Sequence, residues 1–492
     1  MLFNSFDFLV FFIIVTILYW VSPQRTHIYL LLAASCLFYM AFIPVYILIL
    51  FLTILIDYFA GIYIEKSGNK TKKAKHLLIF SIISTCLVLF VFKYYDFFIW
   101  NFISLCSTFN INCSVRTLQI ILPIGLSFHT FQSLSYVIEV YRGKQKAEKD
   151  FVVYSLYVMF YPQLVAGPIE RAAHLLPQLK KNHRFSFENL RIGLLISCWG
   201  FFKKVVIADR LSLIVDNVYR YSDNYDGYTC LLSTYFFAFQ IYCDFSGYSD
   251  IARGVAKIMG YDLMINFNYP YLSKSIREFW NRWHISLSSW FKEYLYIPLG
   301  GNKVSATRNN FNLLFTFLVS GLWHGANWTY VVWGGINGVY LITERYIPTL
   351  SISKYFIVKL LKTVLVFHLI LISWVFFRAS SITEALAMFS KFSQINFQSV
   401  SISIKHFILS YGVIWYPGIN KTVIPFYDSQ IISFSLLILF LVSICMEYKG
   451  GFLTRFFNKN TLLYYIVSIV LVVLILLFGV LFENSSFIYF QF

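Results

Sequence analysis

Two of the nine histidines in this chain occupy settings in which an imidazole could do proton chemistry. His324 lies in FNLLFTFLVSGLWHGANWTYVVWGGING, where Gly321, Gly325, Gly334, Gly335 and Gly338 surround an otherwise apolar run. Small residues there let helices approach closely or let a substrate reach the backbone. Trp323 and Trp328 are candidate apolar walls. A neutral histidine in such a pocket has the usual properties of a general base. A helix-packing histidine between glycines fits the same residues, and the local pattern leaves both readings open. His284 lies in REFWNRWHISLSSWFKEYLYIPLGG. Read as one helix, the stretch puts Trp280, Trp283, His284 and Leu287 on one face. Arg277, Arg282 and Lys292 make it strongly cationic. It suits either an amphipathic anchor at a membrane surface or a receiver of phosphate groups, which arginine's planar fork matches.

The remaining histidines carry less. His27, His76, His174, His183 and His406 fall in loops or surface stretches, where a solvated role is the default. His129 and His368 lie within apolar spans, and an intramembrane ionisable residue is a functional candidate, although a neutral imidazole bonded to a neighbouring helix serves structure equally well. No HExxH motif or carboxylate cluster accompanies the histidines, so no metal is expected. No GxSxG elbow marks a serine nucleophile. Ser320 could share a helix face with His324, but no triad partner is visible. Of eight cysteines, only Cys106 and Cys113 fall in a polar loop, where a bridge would form only in an oxidising compartment.

The elements that must hold these residues are membrane spans. The chain of 492 residues is 58% hydrophobic and only 13% charged, about half the charge of a soluble protein. Its mean hydropathy is +0.66. Apolar runs of about 20 residues recur, the length a bilayer core demands. The expected fold is all-α, a polytopic transmembrane bundle of about eleven spans plus re-entrant pieces, forming one domain over 1–492. A net charge of +17 would suggest nucleic acid in a soluble protein. Here the lysines and arginines collect in short loops between spans, as the positive-inside effect requires. The basic loops EKSGNKTKKAKH (65–76) and YRGKQKAEKD (141–150) therefore lie in the cytoplasm, and counting spans puts both termini outside. Spans are expected at 77–100 and 117–140 about an outside loop 101–116, and another at 190–207. After an acidic outside loop, 229–245 returns toward a cytoplasmic face near Asp244 and Asp250. Residues 151–170 are too broken by Pro162, Gly167 and Pro168 for a straight span and predict a kinked or re-entrant piece facing a cavity. SSITEALAMF (380–389) predicts a short surface helix capped by Ser380 or Ser381. EYKGGFLTRFFNKN (447–460) forms a last basic loop inside.

Five strings in order resemble the membrane-bound O-acyltransferase (MBOAT) superfamily, and within it the bacterial branch that acetylates alginate. They are YPQLVAGPIER (161–171), FSGYSDIARGVAKIMGYDLMINFNYPY (245–271), REFWNRWHISLSSWFKEYLYIPLGGN (277–302), SGLWHGANWTYVVWGGING (320–338) and WVFFRA (374–379). The resemblance is densest over 160–345. It implies a funnel-like ring of helices about a cavity or tunnel, in the cytoplasmic membrane of a bacterium. It makes His324 the histidine of acyl transfer and His284 the second motif histidine. The implied donor is acetyl-CoA, taken from the cytoplasm. Arg277, Arg282, Trp283, Lys292, Trp323 and Asn327 are candidates to hold it. The implied recipient is an extracytoplasmic polysaccharide (alginate-, cellulose- or peptidoglycan-like), reached through an SGNH-type acetyltransferase or esterase partner. Relatives that transfer D-alanyl groups to teichoic acids share much of this plan, so D-alanyl or other acyl transfer to an envelope polymer or lipid is the alternative. A transporter without covalent chemistry is a third, for which paired broken helices and inverted repeats are missing.

Overall fold

A computed structural model describes residues 1–118, 120–164, 167–347, 355–395, 426–449, 461–481 and 487–488. The described residues contain helices and loops and no strand. In chain order the helices are α1 Phe6–Val21, α2 His27–Met40, α3 Tyr46–Lys66, α4 Lys72–Leu89, α5 Tyr95–Thr108, α6 Leu126–Arg142, α7 Phe151–Met159, α8 Tyr161–Leu164, α9 Ala172–Leu179 and α10 Phe187–Phe201. They continue as α11 Asp209–Arg220, α12 Gly227–Ile258, α13 Ile276–Arg282, α14 Ile285–Phe291, α15 Ala306–His324, α16 Trp328–Glu344, α17 Phe356–Arg378, α18 Ile382–Phe392, α19 Phe426–Lys449 and α20 Thr461–Phe478. Side-chain caps start many of them. Ser5, Thr71, Asp150, Ser186, Asp226, Ser275, Ser305, Asn327 and Ser381 each accept a first-turn N–H, satisfying a donor that a helix start leaves orphaned. At α18 the choice between Ser380 and Ser381 falls to Ser381, while the backbone N–H of Ser380 donates to Glu384.

Among the described residues, four helical stretches are long and apolar enough to cross a membrane: Tyr46–Lys66, Lys72–Thr108, Phe356–Arg378 and Thr461–Phe478. Shorter apolar helices run over Phe6–Val21 and Ile431–Cys445. Apolar side chains cover their outer faces, among them Ile17, Leu48, Phe80, Leu361 and Leu477, each more than half exposed. That surface suits lipid. The basic loops 65–76 and 141–150 gather at one end of the bundle. Glu65 accepts from the N–H of Ala147, Glu148 pairs with Lys180, and Arg171 pairs with Glu293.

Several expected boundaries move. The span expected at 77–100 belongs to a longer helical stretch: α4 and α5 join through a π-helical turn, Phe90–Tyr94, and continue to Thr108. Residues 117, 118 and 120–125 are loop and turn instead of helix, because Pro123 and a left-handed Gly125 delay α6. α12 passes through Asp244 and Asp250 without a break. Lys203 pairs with Asp250 at 2.7 Å, and Lys204 lies 2.5 Å from Asp244 and 2.7 Å from Asp209. Neutralised acids of this kind can stay inside a helix that composition alone would end. Residues 151–164 form two short helices with a break at Phe160, buried almost throughout. His27 is buried at the α1–α2 turn, 3.2 Å from the Ser22 carbonyl, instead of solvated. His406 and the basic loop from 450 onward lie outside the described residues.

The tightest crossing is that of α15 on α16. A Cβ on Gly321 would collide with the carbonyl oxygen of Tyr330, and one on Gly334 with that of Phe317. Only glycine permits two backbones this close. The crossing fixes the end of α15 against the start of α16, where His324 sits.

Candidate active site

The stretch from Ile276 to Phe291 is two helices and not the single amphipathic helix its spacing suggested. α13 ends at Arg282, and His284 adopts φ 43°, ψ 55°. This left-handed conformation is strained for a side chain with a Cβ and concentrates at functional positions. Asn266 sustains it. The Asn266 carbonyl accepts from the N–H of Ile285 at 2.9 Å, and its side-chain oxygen accepts from the N–H and Oγ of Ser286. That same Oδ1 is 3.1 Å from His284 Nδ1. An oxygen already receiving a backbone N–H is an acceptor, so His284 Nδ1 is the donor and Nε2 is the basic nitrogen of the ring. Phe245, Phe128, Phe267 and Trp323 enclose the imidazole, with ring centroids 4.5 to 6.4 Å away.

His324 is the last residue of α15 and is only 4% exposed. Its ring is walled edge-on by Trp323 at 4.9 Å, Trp333 at 5.0 Å and Phe377 at 5.3 Å. Trp323 touches both histidines and stacks on Phe131 at 5.1 Å. Trp328, expected as a wall, is 51% exposed and its indole donates to Asn101. Trp333, five residues on, takes that place.

The π-helical turn of α4–α5 closes the end of α15. Lys93 Nζ donates to the carbonyls of Trp323 at 2.8 Å and His324 at 2.9 Å, and the Tyr94 hydroxyl donates to the Leu322 carbonyl at 3.1 Å. Three consecutive carbonyls that a helix end leaves without partners are thus satisfied, and a cation suits a helix C-terminus. Lys93 also lines a pocket of about 440 Å³ together with Leu122, Gly325, Asn327, Tyr330 and Arg378. The pocket begins at the residue after His324. Its location is opposite the basic loops: α15 starts beside Tyr296 and Arg345, next to Glu293 and Arg142, and its 19 residues carry it about 28 Å away.

The sequence-derived candidates divide by place. Arg277 and Lys292 are exposed at the basic end, where Glu344 binds the N–H of Arg277. Arg282 is engaged by Glu278 at 2.7 Å. Trp283 is buried among Phe267, Phe279 and Trp374. α13 therefore runs inward from Arg277 to His284. Asn327 caps α16 and donates to the Ser380 carbonyl at 2.8 Å while lining the pocket. His129 is buried on α6 beside Tyr39, and His368 is held by Tyr235 at 2.7 Å and the Val364 carbonyl. Reading the histidines alone passed over Lys93, Asn266, Trp333 and Arg378. Lys93 had a signal, as a charge inside an apolar run.

A lipid-facing helical bundle that buries two histidines around a shared tryptophan defines a membrane-embedded protein with a histidine-centred site. Residues 148–389 match the model of the membrane-bound O-acyltransferase family. The chain is 39% identical over 433 residues to a probable alginate O-acetylase of Azotobacter vinelandii, covering 86% of this chain and 85% of that relative. It is 35% identical over 393 residues to a peptidoglycan O-acetyltransferase of Helicobacter pylori, covering 74% and 73%. A teichoic acid D-alanyltransferase of Streptococcus thermophilus is 31% identical over 232 residues, covering 44% and 56%. The chain belongs to the membrane-bound O-acyltransferase family and is an acyltransferase.

Proposed function

We propose that the chain takes an acetyl group from cytoplasmic acetyl-CoA and passes it through the bacterial cytoplasmic membrane for O-acetylation of an extracytoplasmic polysaccharide, by way of an SGNH-type partner. The observation that carries this reading is the placement of His324, buried at the end of α15 with a polar pocket beginning beside it on the side away from the basic loops. Positive-inside topology makes the basic end cytoplasmic, so donor and acceptor approach from opposite faces. Acetyl-CoA docks its phosphates at Arg277 and Lys292, with Arg282 nearby, and its thioester follows α13 inward past Trp283 toward His284 and Trp323. His324 accepts the proton of the attacking hydroxyl as general base. The Asn266-fixed tautomer of His284 presents Nε2, which orients the donor or steadies charge. The acceptor enters through the pocket at Gly325 and Asn327.

General base catalysis contributes about 10²–10⁴-fold. His324→Ala should therefore reduce surface O-acetate to background while the protein stays abundant in the membrane. Mass analysis of cell-surface glycans with the gene intact, deleted and carrying His324→Ala tests both the acceptor class and the residue. Wild-type acetylation in the variant would refute the reading. The similarity to a teichoic acid D-alanyltransferase favours one rival, D-alanyl transfer to an envelope polymer. The same mass spectra separate it, since alanyl and acetyl esters differ in mass.

A further inference from the structure

Trp323 and Trp333 are the two indoles that touch the His324 ring, and they are 5% and 1% exposed. Neither Nε1–H has a hydrogen-bond partner among the described residues. A buried donor left unsatisfied is costly, and where one is kept it calls for an explanation. Here two are kept within one ring contact of the same histidine, on helices locked together by the glycine crossing. Lys93 lies 5.9 Å over the Trp323 ring, and a cation there draws density from the indole and strengthens its N–H as a donor.

We propose that the indole N–H groups of Trp323 and Trp333 form the oxyanion hole of acyl transfer. This inference rests on His324 being the base. The acceptor oxygen attacks the thioester carbonyl carbon and forms a C–O bond, while its proton passes to the imidazole. The carbonyl electron pair moves onto oxygen, where the two indoles donate to it. Collapse of the tetrahedral species re-forms the carbonyl and breaks the C–S bond, and the thiolate takes the proton back from the imidazolium. Donors already in place where the charge develops lower the barrier more than most other catalytic devices.

The full-length chain in lipid nanodiscs, supplied with radiolabelled acetyl-CoA, its SGNH-type partner and the cell-envelope glycan fraction, reads the effect. Trp333→Phe and Trp323→Phe should each lower kcat by about tenfold or more, with KM for acetyl-CoA changed less than about twofold. Trp280→Phe provides the control. Trp280 also carries an unpartnered indole N–H, but its ring contacts are with Phe279, Phe317 and Trp333, and kcat should be unchanged. Should a phenylalanine variant fail to fold, 3-benzothienylalanine at 333 keeps the volume and removes only the N–H, with the same kcat loss expected. Full kcat in both the 323 and the 333 variants overturns the proposal. If His324→Ala is itself fully active, the underlying reading fails instead.

Discussion

Replacing Lys93 by methionine tests whether the end of α15 is held for catalysis. The ammonium supplies donors at 2.8 and 2.9 Å to the carbonyls of Trp323 and His324. A hydrogen bond to a charged group is worth about 1.5–3 kcal/mol, so the pair sums to roughly 3–6 kcal/mol. Water entering from the pocket recovers part of this, and removing a cation from an apolar bundle relieves its own desolvation. A net local cost of about 3 kcal/mol is the working figure, equal to about two powers of ten in the population of the correctly seated turn. Acetyl transfer should then fall about a hundredfold. Thermal stability should fall much less, because the other helices keep their packing. Lys93→Arg retains a donor and a charge and should recover an intermediate rate. The assay is initial-rate acetyl transfer in nanodiscs, normalised to folded protein, alongside thermal unfolding. Wild-type turnover in Lys93→Met would refute the clamp, and parallel collapse of stability and rate would make Lys93 a packing residue only.

Asn266→Ala removes the acceptor shared by His284 Nδ1, the Ser286 N–H and Ser286 Oγ. Leaving buried donors unmet costs about 1–3 kcal/mol each, so activity should drop sharply, while Asn266→Asp keeps the acceptor and should restore part of it in the same transfer assay. Gly321→Ala and Gly334→Ala each drive a methyl into a facing carbonyl, an overpacking worth about 1–3 kcal/mol. Both should lower the unfolding temperature, read by the change in tryptophan fluorescence. At the basic surface, Glu170 is buried, accepts from the Met264 N–H, and lies 2.6 Å from His174 Nδ1, a contact that raises the His174 pKa above its ordinary value of 6.5. A raised histidine pKa stabilises the fold fully below the unfolded value, and the contribution is lost as pH rises through the folded value. Hydrogen exchange in α9 should therefore quicken as pH rises through that window, beyond its intrinsic pH dependence, and His174→Gln should remove the excess.

Much of the architecture was legible because the bilayer imposes a coarse rule. Apolar length and loop charge locate spans, and Pro162, Gly167 and Pro168 announced the broken segment that became α7 and α8. The failures have physical causes. Asp244 and Asp250 looked like the end of a span because their partners, Lys203 and Lys204, come from a different helix. The helical wheel that grouped Trp280, Trp283, His284 and Leu287 assumed continuity, and no periodicity reports that Asn266 holds His284 in a left-handed turn. Nearness in sequence points to Trp328 as a wall of His324 and passes over Trp333. Only the crossing at Gly321 and Gly334 decides that Trp333 faces the ring.

Three π-helical turns among the described residues share a feature that bears on mechanism. They span Phe90–Tyr94, Phe202–Ala208 and Lys292–Tyr296, and each carries lysine. A π turn adds a residue to the helical repeat and re-aims side chains, and such turns gather at functional sites. In the second, Lys203 and Lys204 are met by Asp250, Asp244 and Asp209, and Asp250 also pairs with Arg253, so three cations face three carboxylates and the turn serves cohesion. In the third, Lys292 faces solvent at the basic end, where it can serve an anionic donor. The first differs from both. Lys93 is answered by neutral carbonyls, and no carboxylate lies within 4 Å of it among the described residues. On the proposed reading, Lys93, answered only by carbonyl dipoles and placed at a pocket beside His324, would bring positive charge to where the attacking oxygen and the acyl oxygen pass. That charge does no useful work in the resting state. On that reading its value is in the transition state, when negative charge develops beside His324, and such a difference between transition state and ground state is what accelerates a reaction.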